Sequence, residues 1–320
     1  MKKVDDDKLS IYINAFGLIG GIFYIIVIGL LSIPTLFFIR DHAGYANPIT
    51  IKSFTIFITV VPQEIPIAIN SDYLTIIVLE FYLALGIIDI LRNINSDKPL
   101  IKMFLLAGVV LVLSILIEAL QSSIGVETGE LEAPNDYIYY ISAVYAPIGE
   151  EIGFRLTIIG LASLIMYFLS REGKTLKGVL TSFLIPYKIY KDDHDKMYVL
   201  YILVIFTSLV FGFAHLMGPG WKLGKVTLSI LAGLYLGYLF VKYGITTSIL
   251  GHAYFNVYLL TLYFLSELAG DYIPTYGEMV EITISVLYFI LSIAIGVIYL
   301  VWLAYKFVKR YSGYGVEYEI

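Results

Sequence analysis

The chain has 320 residues, 59% hydrophobic and only 15% charged, with a net charge of −5. A soluble domain carries about a quarter charged residues, so this composition excludes an ordinary soluble protein and points to a polytopic membrane protein. No basic cluster suggests nucleic acid, and the absence of cysteine excludes disulfides, thiolate metal sites and a cysteine nucleophile.

About 20 apolar residues suffice to cross a bilayer as a helix. On that measure the sequence predicts an all-α bundle of eight transmembrane helices in a single domain over 1–320. The spans are expected at 11–39, 73–91, 100–120, 137–170, 197–217, 226–242, 245–266 and 281–308. The first is far longer than a signal h-region, so a membrane helix is expected rather than a cleavable signal. Residues 40–72, rich in proline and β-branched residues, form the largest connection. The fourth span is too long to cross straight at 1.5 Å per residue. A tilt, a break near Pro147 or projection beyond the bilayer would accommodate it. The stretch 178–190 is apolar but short, which fits an interfacial or re-entrant helix. No internal repeat is evident, so a repeat-built transporter has little support.

Charge in the connections orients the bundle. Lys2, Lys3 and Lys8 precede the first span. Arg171, Lys174, Lys177, Lys188, Lys191 and Lys196 follow the fourth, and Lys306, Lys309 and Arg310 follow the last. The connections 121–136 and 267–281 carry acids but no lysine or arginine. Eight spans with both termini cytoplasmic reproduce this alternation. Lys222 and Lys225, on an expected outer connection, are exceptions.

Three segments place polar groups inside the apolar spans, where ionisable residues are costly and mark pathways or reaction sites. The first is Glu150-Glu151-Ile152-Gly153-Phe154-Arg155. Glu151 and Arg155 have the i,i+4 order that favours an ion pair. Glu150 lies about 100° round the helix and is the less compensated carboxylate, suited to a general base. Gly149 and Gly153 form a small-xxx-small ridge on which another helix is expected to pack. A structural ion pair locking two helices is the plainer alternative. The deepest of the other span acids, Glu80, is a second potential partner for Arg155. Asp89, Glu118 and Gln121 sit near span ends, within reach of interfacial water, and all are read as structural or solvated.

The second segment is Phe211-Gly212-Phe213-Ala214-His215, followed by the helix-stopping Gly218-Pro219-Gly220. The third is Gly251-His252-Ala253-Tyr254-Phe255-Asn256, in which His252 and Asn256 are i,i+4. An imidazole and a carboxamide on one face can donate two hydrogen bonds to one developing oxyanion. An interhelical hydrogen-bonded pair is the alternative. Together the three segments supply a base for water and donors for a tetrahedral intermediate, which is a set suited to acyl-bond hydrolysis. A zinc site from Glu150, His215 and His252 is chemically open, although no short ligand spacing supports it. His215 and His252 stand near opposite ends of their spans, so a broken or recessed loop is expected at 216–225.

Glu-Glu-x-x-x-Arg, Phe-x-x-x-His and His-x-x-x-Asn, in that order on separate membrane helices, resemble the CAAX protease and bacteriocin-processing family. Its best-known members are the type II CAAX prenyl endopeptidases, the Ras-converting enzymes. The resemblance covers about 137–260 and includes the glycine ridge Gly233 and Gly237. It implies an eight-helix intramembrane endopeptidase with an intramembrane cavity and no cofactor. By the same resemblance Glu150 activates water with His215, and His252 and Asn256 hold the oxyanion. Glu151 and Arg155 support the site, with Phe211 beside them. The implied substrates are peptides or proteins, prenylated CAAX proteins in the best-studied cases, met within membrane lipid. Short connections point to a prokaryotic cell membrane. A non-catalytic scaffold or bacteriocin-immunity protein on the same fold is the rival reading. On the endopeptidase reading, the 26 residues 171–196 are expected to form an interfacial helix controlling substrate entry.

Overall fold

The computed structural model describes residues 2–94, 98–170, 174–272 and 277–311. Arg171, counted above among the orienting cations, and residues 273–276 of the acidic connection lie outside them.

Eight helical stretches are long and apolar enough to cross a membrane. The first, Lys8–His42, joins α1 (Lys2–Ile26) to α2 (Ser32–His42) through a π-helical turn. Then come α3 (Ser71–Ile94) and α4 (Pro99–Ser123). The fourth stretch, Asp136–Ser170, is α5 (Asp136–Glu151), a π-helical segment Ile152–Gly160 and α6 (Leu161–Ser170). It does not break at Pro147. The irregularity comes one turn later, and wide turns of this kind often accompany functional sites. Asn135 caps the start of α5 by accepting from the Ile138 N–H.

Two short helices, α7 (Leu176–Leu184) and α8 (Tyr187–Tyr190), occupy the expected interfacial stretch. They fold back on α6: Ser163 Oγ donates to Ser182 O, and Tyr190 OH donates to Ser163 O at 2.7 Å. Next are α9 (His194–Ala214) and α10 (Leu223–Tyr243). Gly233 and Gly237 let α10 close on α9: a Cβ at Gly233 would lie 2.9 Å from Ser208 Cα, and one at Gly237 2.7 Å from Val204 Cγ1. After Gly244 follow α11 (Ile245–Ala253), a π-helical turn Tyr254–Tyr258, α12 (Leu259–Tyr272) and α13 (Gly277–Tyr311).

The connection expected at 40–72 is a β-hairpin, a feature the sequence reading missed. Its strands are β1 (Thr50–Ile58) and β2 (Val61–Asn70), paired antiparallel with Phe57 opposite Pro62 and Ile58 opposite Val61. Pro62 and Pro66 sit on β2, an edge strand, where a missing N–H costs no ladder bond. The hairpin runs alongside α5. Phe54 meets Tyr145 edge-on, and the backbone N–H of Thr59 donates to Thr157 Oγ1 at 2.9 Å. The Gly149 and Gly153 ridge therefore receives a strand, not a helix. A Cβ at Gly149 would lie 2.9 Å from Thr55 O, and one at Gly153 3.1 Å from Phe57 Cα.

Of the polar span-end residues Asp89 and Gln121 are structural, whereas Glu118 is exposed. Asp89 is fully buried, paired with Arg92 at 2.7 Å, and accepts from the Thr246 and Thr247 hydroxyls. Of the two expected roles, structural or solvated, it takes the structural one. Arg92 also donates to Tyr243 O, so the pair clamps the α10–α11 corner to α3. Gln121 is buried and donates to Thr227 Oγ1. Glu80 lies on the exposed side of α3 and is not the partner of Arg155.

Candidate active site

The α10–α11 corner sets the depth of the site. His252 stands eight residues along from Gly244, about 12 Å at helical rise. On the other side α9 continues as a single turn, His215–Met217, before Gly218 stops it. The expected obstacle between His215 and His252 is thus removed by the depth of His252 and by Phe211. The Phe211 ring lies 4.7 Å from the His215 ring and 6.0 Å from the His252 ring, edge-on to both. Phe154 closes a third side at 5.0 Å, and hairpin residue Phe57 lies 6.0 Å behind Phe154.

Arg155 and Glu151 are both wholly buried and form the expected ion pair, Nη1 to Oε1 at 3.0 Å. The guanidinium carbon sits 4.4 Å over the Phe211 ring, a cation–π contact that helps hold a buried charge. Glu151 does more than pair with arginine. Its Oε1 accepts from His252 Nδ1 at 3.0 Å, and Ser248 Oγ donates to its Oε2. Ser248 is one turn before His252 on α11 and was not singled out in the sequence. Its i,i+4 spacing from His252 was the available signal.

Glu150 differs. Its side chain keeps 21% exposure against none for Glu151. Its Oε2 is a buried atom with no hydrogen-bond partner among the described residues, 3.6 Å from His252 Nε2, beyond hydrogen-bond length. His215, half-buried, directs Nδ1 at Phe211 O at 2.8 Å. A carbonyl only accepts, so Nδ1 carries the proton and, in the neutral ring, Nε2 is left as an acceptor. Asn256 is half-buried in the π-helical turn that follows His252. The structure thus brings Glu150, Glu151, Arg155, Phe211, His215 and His252 together, with Asn256 one turn further on. A cavity of 520 Å³ lies elsewhere, among Pro34, Phe38, His42 and Asp271.

Among the described residues no three His, Asp or Glu side chains gather to hold a metal ion. Glu150, His215 and His252 are not such a group.

Residues 136–258 match the family model described as type II CAAX prenyl endopeptidase Rce1-like. Over this segment, less than half of the chain, the protein is similar to the Rce1-like family. The match begins at the first residue of α5 and ends with the π-helical turn that holds Asn256, so it encloses all three polar segments. The Rce1-like family is a family of CAAX-type intramembrane proteases acting on peptide or protein substrates. The β-hairpin and the spans at either end of the chain lie outside the matched region. No curated protein and no solved structure matches the chain.

Proposed function

We propose that this chain is an intramembrane endopeptidase that cuts near the C-terminus of CAAX-type substrates with water activated by Glu150. The observation that carries the reading is the asymmetry between adjacent carboxylates. Glu151 is fully engaged by Arg155, His252 and Ser248, whereas Glu150 Oε2 has unused hydrogen-bonding capacity facing His252 Nε2. A buried acceptor without a partner is costly and calls for an occupant such as water.

In this mechanism Glu150 takes one proton from water while the oxygen bonds the scissile carbonyl carbon. His215 Nε2 accepts the second water hydrogen and sets its angle. The oxyanion takes hydrogen bonds from Asn256 and from His252 Nε2. Since His252 Nδ1 already donates to Glu151, donation from Nε2 requires the doubly protonated ring, whose charge the two flanking glutamates offset. Collapse of the intermediate breaks the C–N bond, and Glu150 returns its proton to the leaving amine. No cofactor is needed.

The hairpin supports this chemistry indirectly. Strand backbone beside a membrane span is tolerated where it is covered by protein or lines water. Its contact with Gly149 and Gly153, either side of Glu150, fits a hydrated cleft beside the base. The substrate is a peptide delivered through membrane lipid, prenylated in the best-known cases. The protein then sits in a prokaryotic cell membrane with both termini cytoplasmic.

The test is cleavage of a farnesylated CAAX peptide by the purified protein, read by mass spectrometry with and without a strong chelator. Cleavage should survive the chelator and vanish in a folded Glu150→Ala variant. Retained cleavage in that variant would remove Glu150 as the base. Peptide binding without cleavage by the unmutated protein would favour a scaffold.

A further inference from the structure

Lys222 and Lys225 stand three residues apart at the start of α10, beside an acidic loop, and their fates differ. Residues 127–132 are strapped to the α9–α10 turn. Lys222 N donates to Thr128 O, Gly224 N donates to Glu127 O, and Gly129 bridges Trp221. Within this strap Lys222 Nζ pairs with exposed Glu127. Lys225 takes no carboxylate. Its Nζ lies 4.0 Å over the Trp221 ring and, among the described residues, within ion-pair distance of no acid. It is half-buried, and its charge acts on Glu150 and Glu118.

This places on the wall of the site a cation with no ion-pair partner among the described residues. His252 and Arg155, the other positive groups acting on Glu150, are both already engaged by Glu151. The Trp221 ring is 6.5 Å from the His215 ring, and Nζ is 4.0 Å from Trp221, so Nζ lies within about 10.5 Å of His215. Three residues of extended peptide span about 10 Å. A half-buried ammonium held over an indole, with no acid at ion-pair distance among the described residues, has room for a further anion; if the cut lies three residues from the chain end, as the CAAX reading implies, the terminal carboxylate is an anion that falls within that reach.

We propose that Lys225, steadied by Trp221, binds the free C-terminal carboxylate of the peptide and so sets the distance of the cut from the chain end. The assignment deepens the endopeptidase reading and rests on it for the meaning of the distance. Lys225 is a specificity residue that does not touch the reacting atoms.

The test uses two farnesylated CAAX peptides that differ only in ending as carboxylate or carboxamide. Affinity is measured on full-length Glu150→Gln protein, so that it does not depend on turnover, and cleavage on protein with Glu150 intact. The carboxylate peptide should bind at least tenfold tighter. Lys225→Met should abolish that preference by weakening the carboxylate peptide alone, and Lys225→Arg should restore much of it. In cleavage, Lys225→Met should raise KM for the carboxylate peptide with kcat within a few-fold. Equal affinity for the two peptides, or a preference that survives Lys225→Met, overturns the anchor. Failure of either peptide to bind also overturns it. Carboxylate-selective, Lys225-dependent binding without cleavage would refute the endopeptidase and leave the anchor standing.

Discussion

Glu151 Oε1 stands 3.0 Å from His252 Nδ1, a contact that ties the helix carrying the paired glutamates to the helix carrying the last motif. The same oxygen is 3.0 Å from Arg155 Nη1. One carboxylate therefore fixes both the cation behind it and the imidazole in front of it. Ring orientation is set by what the other nitrogen bonds, so Glu151 decides that His252 presents Nε2 towards Glu150.

From this the two adjacent glutamates should fail differently. Glu151→Gln removes the counterion of an arginine with no exposure, and breaking a buried pair from one side costs about 3–5 kcal/mol. Glu150→Gln removes a carboxylate whose buried oxygen has no hydrogen bond to lose. Thermal unfolding in detergent should show a clear fall for Glu151→Gln and little change for Glu150→Gln, while both lose peptide cleavage. Equal destabilisation by the two would mean that the labour is not divided as described.

Ser248→Ala should act through His252. The hydroxyl contacts the Glu151 carboxylate and lies 2.9 Å from Leu236 O, and its single proton serves one at a time. Losing a hydrogen bond to a charged group costs about 1.5–3 kcal/mol. The expected result is a lower kcat with KM unchanged, because Glu151 loses a restraint while no substrate contact is removed. A change in KM alone would point instead to a substrate contact.

Much of this site was legible because its determinants are local. The spacing of Glu151 and Arg155 forecast an ion pair that the structure contains, and the eight spans follow from apolar runs, most of their ends within three residues, although the last apolar stretch starts only at Phe289 and the seventh runs on to Asp271. The hairpin was not legible. A two-residue turn with positive φ at both positions normally announces itself with Asn-Gly or Asp-Gly. Here the residues are Thr59 and Val60, at φ of 46° and 65°, and nothing in their side chains predicts that conformation. The turn is held from outside, by the Thr59 N–H on Thr157 Oγ1, 98 residues away. The Gly149 and Gly153 ridge was readable as a close-approach surface, but small residues do not say whether a helix or a strand approaches. Asp89 was readable as structural or solvated but not as which, because burial near a span end depends on Thr246 and Thr247, which come from another helix.

Phe211 offers a third test. It lies against Arg155, Phe154, His215 and His252, so one ring separates the two histidines and carries a buried cation. Phe211→Leu keeps apolar bulk and loses the cation–π contact, worth about 2 kcal/mol when desolvated. Stability should fall by about that amount, while kcat falls more than stability requires because the imidazoles lose their spacer. Phe211→Tyr keeps the ring face and should retain the stability. A Phe211→Leu protein with undiminished kcat would reduce Phe211 to packing.

The hairpin is the feature outside the Rce1-like match that touches the site, and its docking can be tested directly in a chain without cysteine. The 2.9 Å bond from Thr59 N to Thr157 Oγ1 holds the two Cα atoms within about 7 Å, the outer limit for a disulfide. Thr59→Cys with Thr157→Cys should cross-link under mild oxidation in membranes, read as a mobility shift that reductant reverses. Ile65→Cys, on the outer strand, with Thr157→Cys should not. Adding Gly153→Leu should reduce the first cross-link, because a side chain there has the backbone of Phe57 3.1 Å from its first carbon and no flexible group to yield. If the same substitution lowers peptide cleavage in proportion, the strand is part of the wall beside Glu150. Lost cross-linking with unaltered cleavage would make it a surface ornament of the fold.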